Sequence, residues 1–351
     1  MFCHDLRFFK PAFQPIAFRH IRRNIVQSIR RPVFASHERR FSYTANMSRS
    51  CLGTILGQLK MTGLCAAMAL GRIAVLAYFG AIVAMGIYQR NIIYRPSSTS
   101  ELDGLKLGES MGFSPWRTHS GEFIGWQYST DFSGLSAILL FHGNAGNALD
   151  REYLAQCLAQ YFDVYIMEYP GYGFRKGRPS EHSFFRAGET ALAQLSQSRG
   201  KKVFVAGESL GTGIACHLAG KYPEQISSIL LVTPFPELAD IGRHHFPLIP
   251  IGLLLRDRYD NKSNLATYAG PVAFVIAARD EIVPSSLGQR LHDEYTGPKK
   301  LFTQPLSGHN DLDYSPENKI WREVAEFMLR SKPHPAAPPM NRRLTVKKLN
   351  Q

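Results

Sequence analysis

Cysteine is scarce in this 351-residue sequence: Cys3, Cys51, Cys65, Cys157 and Cys216, with no C-x-x-C pair among them. That excludes a disulfide framework and a cysteine-ligated zinc module. H-E-x-x-H and other metal-ligand spacings are missing as well, so no metal is expected. No heptad is sustained and no internal repeat is present, which excludes a long coiled coil. A hydrophobic share of 44% excludes a disordered chain. The length accommodates one large domain with appendages, or two ordinary ones.

Acid is lacking only at the ends. The formal charge of +13 comes from 41 Lys/Arg and 28 Asp/Glu. Residues 1–50 hold ten bases against Asp5 and Glu38, and residues 331–351 hold five bases and no acid. The body, 51–330, carries 26 of each sign. A neutral body with basic ends argues against nucleic acid as a partner and for targeting or membrane contact.

Residues 1–46 alternate arginine with Phe and Ile and contain almost no acid, the composition of an organelle transit segment. Arg39-Arg40-Phe41-Ser42 resembles a mitochondrial processing site; the alternative is translation from Met47. Residues 64–88 are apolar enough for the roughly 20 residues that cross a bilayer core. Arg72 interrupts this stretch, at about 2.5–3.5 kcal/mol mid-helix but less near an end. A single-pass membrane protein is expected, in the mitochondrial membrane or alternatively the endoplasmic reticulum or another secretory-pathway membrane. The more basic N-terminal flank places the C-terminal domain away from the cytosol or matrix. The Pro-rich basic tail 331–351 reads as disordered.

Over 91–330, short apolar runs alternate with helical patterns. Strands are expected at 123–128, 135–141, 164–168, 203–206, 228–232, 272–277 and 300–304, with helices at 149–161, 183–198, 210–221, 286–295 and 316–329. Several runs are continuously apolar, as strands covered on both faces are. The expected fold is one doubly wound α/β domain with a mostly parallel sheet.

Within it, KKVFVAGESLGTGIACHLAGKYP (201–223) places Gly207-Glu208-Ser209-Leu210-Gly211 between a buried strand and a helix. G-x-S-x-G in that setting is a nucleophile turn: glycines two residues either side remove Cβ atoms that would collide with strand and helix. A serine hydroxyl needs a base and an orienting acid, in the chain order Ser, Asp/Glu, His. Asp280 ends the 272–277 strand in RDEIVP, and His309 follows the 300–304 strand in SGHND. Among competitors, Glu281 points away if Asp280 faces the site, and Asp257 and Asp260 precede the required strand. His244 and His245 read as surface or lid residues, His217 as packed or solvated in the following helix, and Asp311 and Asp313 as loop-shaping. Phe141-His142-Gly143-Asn144-Ala145-Gly146-Asn147 opens a helix after the 135–141 strand, so backbone amides of Asn144 and Leu210 are the expected oxyanion donors. This loop lacks a phosphate loop's lysine, and Gly211-Thr212-Gly213 fails as a dinucleotide fingerprint, so no cofactor is expected.

Together, HGNAGN, EYPGYG with RPSE downstream, GESLGTG, LLRDRYDN, RDEIVP and GHND resemble the membrane-anchored α/β-hydrolase-domain serine hydrolases, which include lysophospholipases and protein depalmitoylases. The likeness covers about 90–330, and QRNIIYRP is similar to that family's entry segment. It implies an α/β-hydrolase fold with a small lid or crossover segment and a triad of Ser209, Asp280 and His309. Glu168 stands where the family usually has aspartate, a change read as tuning a loop. The depalmitoylases' N-terminal cysteine cluster is missing, which moves the resemblance toward lipid-ester hydrolases.

Residues 246–255 form either a lid offering Phe, Leu and Ile to an acyl chain or an ordinarily packed crossover. The function expected is acyl-ester hydrolysis of the lysophospholipase or carboxylesterase kind, on a lipid or acylated substrate. The alternatives are an acyl-protein thioesterase with the same triad and a non-catalytic tethered scaffold.

Overall fold

The computed structural model describes residues 49–128, 135–200, 202–315 and 317–330; the expected transit-like segment 1–46 and basic tail 331–351 lie outside them. The chain divides into two compact units, Met1–Met68 and Ala69–Gln351. The described part of the first is the beginning of one long helix, α1 (Arg49–Ile93).

The elements after α1 are β1 (Arg95–Pro96), α2 (Glu101–Ser110), β2 (Phe113–Arg117), β3 (Phe123–Tyr128), β4 (Ala137–Phe141), β5 (Ala145–Gly146) and α3 (Glu152–Ala159). There follow β6 (Asp163–Met167), α4 (Glu181–Arg199), β7 (Val203–Glu208), α5 (Gly211–Lys221) and β8 (Ile226–Val232). The crossover from β8 carries α6 (Leu238–His245), α7 (Ile251–Leu254) and α8 (Asn261–Leu265). Last come β9 (Val272–Ala277), α9 (Ser285–Glu294), β10 (Lys299–Gln304) and α10 (Lys319–Arg330).

The main sheet has the order β10-β9-β8-β7-β4-β6-β3-β2, parallel from β10 through β6 and antiparallel at β3 and β2. Its central strands are continuously apolar because both faces are covered. In β4, Leu139 and Phe141 pack with α4, α5 and α9, while Ile138 and Leu140 pack with α3 and α10 on the other face. This is the α/β-hydrolase fold, with a mostly parallel sheet.

The short strands β1 and β5, the crossover helices α6, α7 and α8, and two elements before β3 went unforeseen. The edge strand β2 contains Pro115, which cannot donate to a ladder and is tolerated only at an edge. Helix α2 starts at a Ser-x-x-Asp cap, where the Asp103 amide donates to Ser100 Oγ at 3.1 Å. Helix α1 also extends beyond the expected 64–88 on both sides. Its stretch long and apolar enough to cross a membrane is Leu56–Ile93. It stops where Pro96 forces Arg95 into extended backbone.

Candidate active site

Ser209 sits on the sharp turn from β7 into α5 with φ of +51°, a left-handed conformation that costs a residue with a Cβ about 1–3 kcal/mol. The surrounding glycines make the turn possible. A Cβ on Gly207 would lie 2.5 Å from the Gly211 carbonyl oxygen, and one on Gly211 would strike the Phe141 and His142 carbonyls. The Ser209 amide is held by Val232 O at 2.9 Å. Its hydroxyl is thereby raised above the sheet at the start of α5, where the helix dipole favours negative charge.

The structure brings the three expected side chains together. His309 Nε2 lies 3.1 Å from Ser209 Oγ, and His309 Nδ1 lies 2.7 Å from Asp280 Oδ2. The other Asp280 oxygen accepts from the amides of Ile282 at 2.9 Å and Val283 at 2.7 Å, fixing the carboxylate. Both His309 and Asp280 are nearly buried as side chains. The Asn144 and Leu210 amides flank the serine, and neither has an acceptor among the described residues.

The competing residues stand outside this relay, although His245 and Asp313 line the cavities at Ser209. Glu281 is exposed. Asp257 pairs with Arg90 at 2.8 Å. Asp260 caps α8 by accepting from the Ser263 amide. His217 is stacked on Phe185 and bonded to Glu189. Asp311 accepts from the Gly308 amide and Asp313 from the Ser315 amide, so both shape the histidine loop. His244 and His245 are exposed in α6, His245 bonding Ile282 O at 2.8 Å.

Several residues escaped sequence reasoning. Glu208 lies inside the nucleophile motif and is bound by Arg151 Nε at 2.5 Å and Tyr153 OH at 2.7 Å. It also accepts from the Gly143 amide at 3.3 Å, tying the motif to the loop that carries Asn144. Burial pushes its carboxyl up, but Arg151, Tyr153 and the Gly143 amide outweigh this and hold it below the usual carboxylate value. Tyr169 and Tyr172 of EYPGYG donate to the carbonyls of His142 at 2.6 Å and Asn144 at 2.7 Å. Glu168 accepts from the Ala148 amide at 3.2 Å and lies 3.5 Å from His142 Nε2, which is the loop role expected of it. The co-occurrence of HGNAGN and EYPGYG was the available signal; their contact was not readable from spacing.

Two cavities meet at Ser209, sharing Asn144 and Ile282 as lining. One, of 950 Å³, has mixed walls whose polar members include Arg151, Gln156, Gln160 and Asn310. The other, of 330 Å³, is apolar, between the end of α1 and the crossover segment.

The family described as the alpha/beta hydrolase fold matches residues 136–250. The uncharacterised protein Rv2307c of Mycobacterium tuberculosis is 33% identical over 256 residues, which are 70% of this chain and 89% of that protein. The chain belongs to the α/β-hydrolase family. This hydrolase is also 27% identical over 203 residues to the uncharacterised membrane protein YNL320W of Saccharomyces cerevisiae, covering 55% of this chain and 71% of that one. It is 27% identical over 253 residues to the lysophosphatidylserine lipase ABHD12 of Mus musculus, covering 62% of each.

Proposed function

We propose that this α/β hydrolase is a single-pass membrane serine hydrolase that cleaves acyl esters of lipids through Ser209, His309 and Asp280. The observation that carries the reading is the continuous relay from Ser209 Oγ through His309 to Asp280, at 3.1 and 2.7 Å. In this mechanism Ser209 Oγ attacks the ester carbonyl as its proton passes to His309 Nε2. The Asn144 and Leu210 amides receive the oxyanion; one such donor is typically worth about 10²–10³ in rate. Collapse expels the alcohol, which takes the proton from His309. Water then attacks the acyl carbonyl as its proton passes to the same nitrogen, and His309 returns that proton to Ser209 Oγ as the acyl–oxygen bond breaks and the acid leaves.

The lipid substrate class is supported by the apolar cavity at Ser209 and by the relative that is a lysophosphatidylserine lipase. Membrane placement is supported by the apolar stretch Leu56–Ile93 and by the relative that is a membrane protein. Assignment to mitochondria rests on the arginine-rich leader alone, and fractionation of the tagged full chain tests it.

The mechanism is tested by a fluorophosphonate probe on the wild type and on Ser209→Ala. Labelling of the wild type alone supports it; equal labelling of both, or of neither, contradicts it.

A further inference from the structure

The end of α1 is built into the hydrolase domain. Ile82, Met85, Gly86, Gln89 and Ile93 recur at three- and four-residue intervals and form its covered face. Tyr78 OH donates to Leu248 O at 2.6 Å, and Gln89 donates to Leu254 O at 3.0 Å while accepting from the Arg256 amide at 2.7 Å. Arg90 grips Asp257 through both carboxylate oxygens, at 2.8 and 3.0 Å. These contacts run along α1 from Tyr78 to Arg90, about 18 Å at 1.5 Å per residue. Every one of them reaches the crossover between β8 and β9.

What they enclose is the 330 Å³ apolar cavity. Met85 and Ile92 line one side, Ile241, Phe246 and Leu254 the other, and Ser209 stands at its inner end. This size lies near the low end of small-molecule pockets, about 300–1,000 Å³, and suits one chain. The outer surface is apolar too: Leu248 and Leu253 of the crossover are 81% and 87% exposed, alongside the exposed Leu76, Phe79 and Val83 of α1. Water is a poor solvent for such a surface, whereas one lipid leaflet covers helix and crossover together.

We propose that the last turns of α1 are a wall of an acyl-chain site, which takes its chain from the leaflet covering Leu248 and Leu253. The inference rests on the hydrolase reading of Ser209 and specifies its substrate as a long-chain acyl ester of a polar alcohol. The chain lies between α1 and the crossover, the carbonyl rests at Ser209, and the alcohol leaves through the 950 Å³ cavity, where Gln156, Gln160 and Asn310 offer it polar partners. The segment that anchors the protein thus also sets its chain-length preference.

The test uses the full chain in phospholipid nanodiscs and a hexadecyl fluorophosphonate bearing a diazirine at the far end of its chain. Ser209 Oγ displaces fluoride, its proton passing to His309, and irradiation then crosslinks the chain terminus to its surroundings. Crosslinks on 82–93 and 246–255 are expected. Crosslinks confined to 153–160, or to lipid alone, overturn the proposal; a missing Ser209 adduct overturns the hydrolase reading beneath it. In parallel, Met85→Trp and Leu254→Trp should lower the ratio of kcat/KM for p-nitrophenyl palmitate over butyrate. The drop should be about tenfold or more, since each buried methylene is worth about fourfold. Leu76→Trp, on the outer face of α1, should leave that ratio unchanged. An unchanged ratio in both cavity variants, with fluorophosphonate labelling intact, also overturns it.

Discussion

Asn144 donates its side-chain amide to the carbonyl of Ile93, 2.7 Å away, joining the loop beside the serine to the last turn of α1. The same residue accepts from the Arg95 amide at 3.0 Å and from Tyr172 OH at 2.7 Å through its carbonyl. Its own amide is thereby aimed by three partners, none of them in the relay of Ser209, His309 and Asp280. Asn144→Ala removes one aiming bond and leaves a helix-end carbonyl unpaired. We expect a loss of about 0.5–1.5 kcal/mol in stability and a fall in kcat that exceeds any rise in KM. Urea titration and steady-state kinetics with a soluble ester check both.

Asp280→Asn keeps an oxygen for the Ile282 and Val283 amides but presents an amide, not a carboxylate, to His309 Nδ1. The fold should survive while kcat falls by about 10⁴, because the imidazole is held in the wrong tautomer. Near-normal turnover with an unchanged melting curve would assign the acid role to another residue.

The conformation of Ser209 makes a prediction about stability alone. Since its φ of +51° is tolerated by glycine at no steric cost, Ser209→Gly should be more stable than Ser209→Ala by about 1 kcal/mol. Both lack the hydroxyl, so differential scanning calorimetry of the pair isolates the strain.

Glu208 supplies the pH dependence. Its folded value is lowered, so the stability it contributes is present above its ordinary value of 4.5 and is lost as pH falls through the lower folded value. Glu208→Gln leaves the buried Arg151 uncompensated, which costs about 3–5 kcal/mol near neutrality. The gap between wild type and variant should narrow as pH drops below 4.5, measured by chemical denaturation across pH. A constant gap would show that Arg151 does not hold Glu208 charged.

Cys157 lines the 950 Å³ cavity, but burial pushes its thiol up to about 12. The thiolate is the reactive form, so iodoacetamide at pH 7.5 should leave esterase activity intact. Rapid inactivation with modification at Cys157 would point to a cysteine close to the chemistry.

Much of this site was legible because its chemistry is carried by strand ends. Ser209 and Asp280 each follow a continuous apolar run and His309 follows the edge strand β10, and an α/β sheet gathers such loops at one end of its strands. The strands themselves were readable for the same reason, since burial on both faces removes polar alternation. What escaped was whatever depends on contact between distant segments. Glu208 is an unspecified position of its motif until Arg151 and Gly143 are seen beside it. Arg90 and Asp257 are 167 positions apart, and only the packed crossover explains either. The true length of α1 was hidden because polarity at Gln89, Arg90 and Asn91 reads as an exit from the membrane, whereas Gln89 and Arg90 bond to the crossover.

The most direct measurement of the central claim is peptide mapping by mass spectrometry of the full chain after reaction with a fluorophosphonate. The account predicts a single phosphonyl adduct on the peptide containing GESLG, located at Ser209 and absent when His309 is replaced by Ala. An adduct on any other residue, or one that forms as fast without His309, would contradict it.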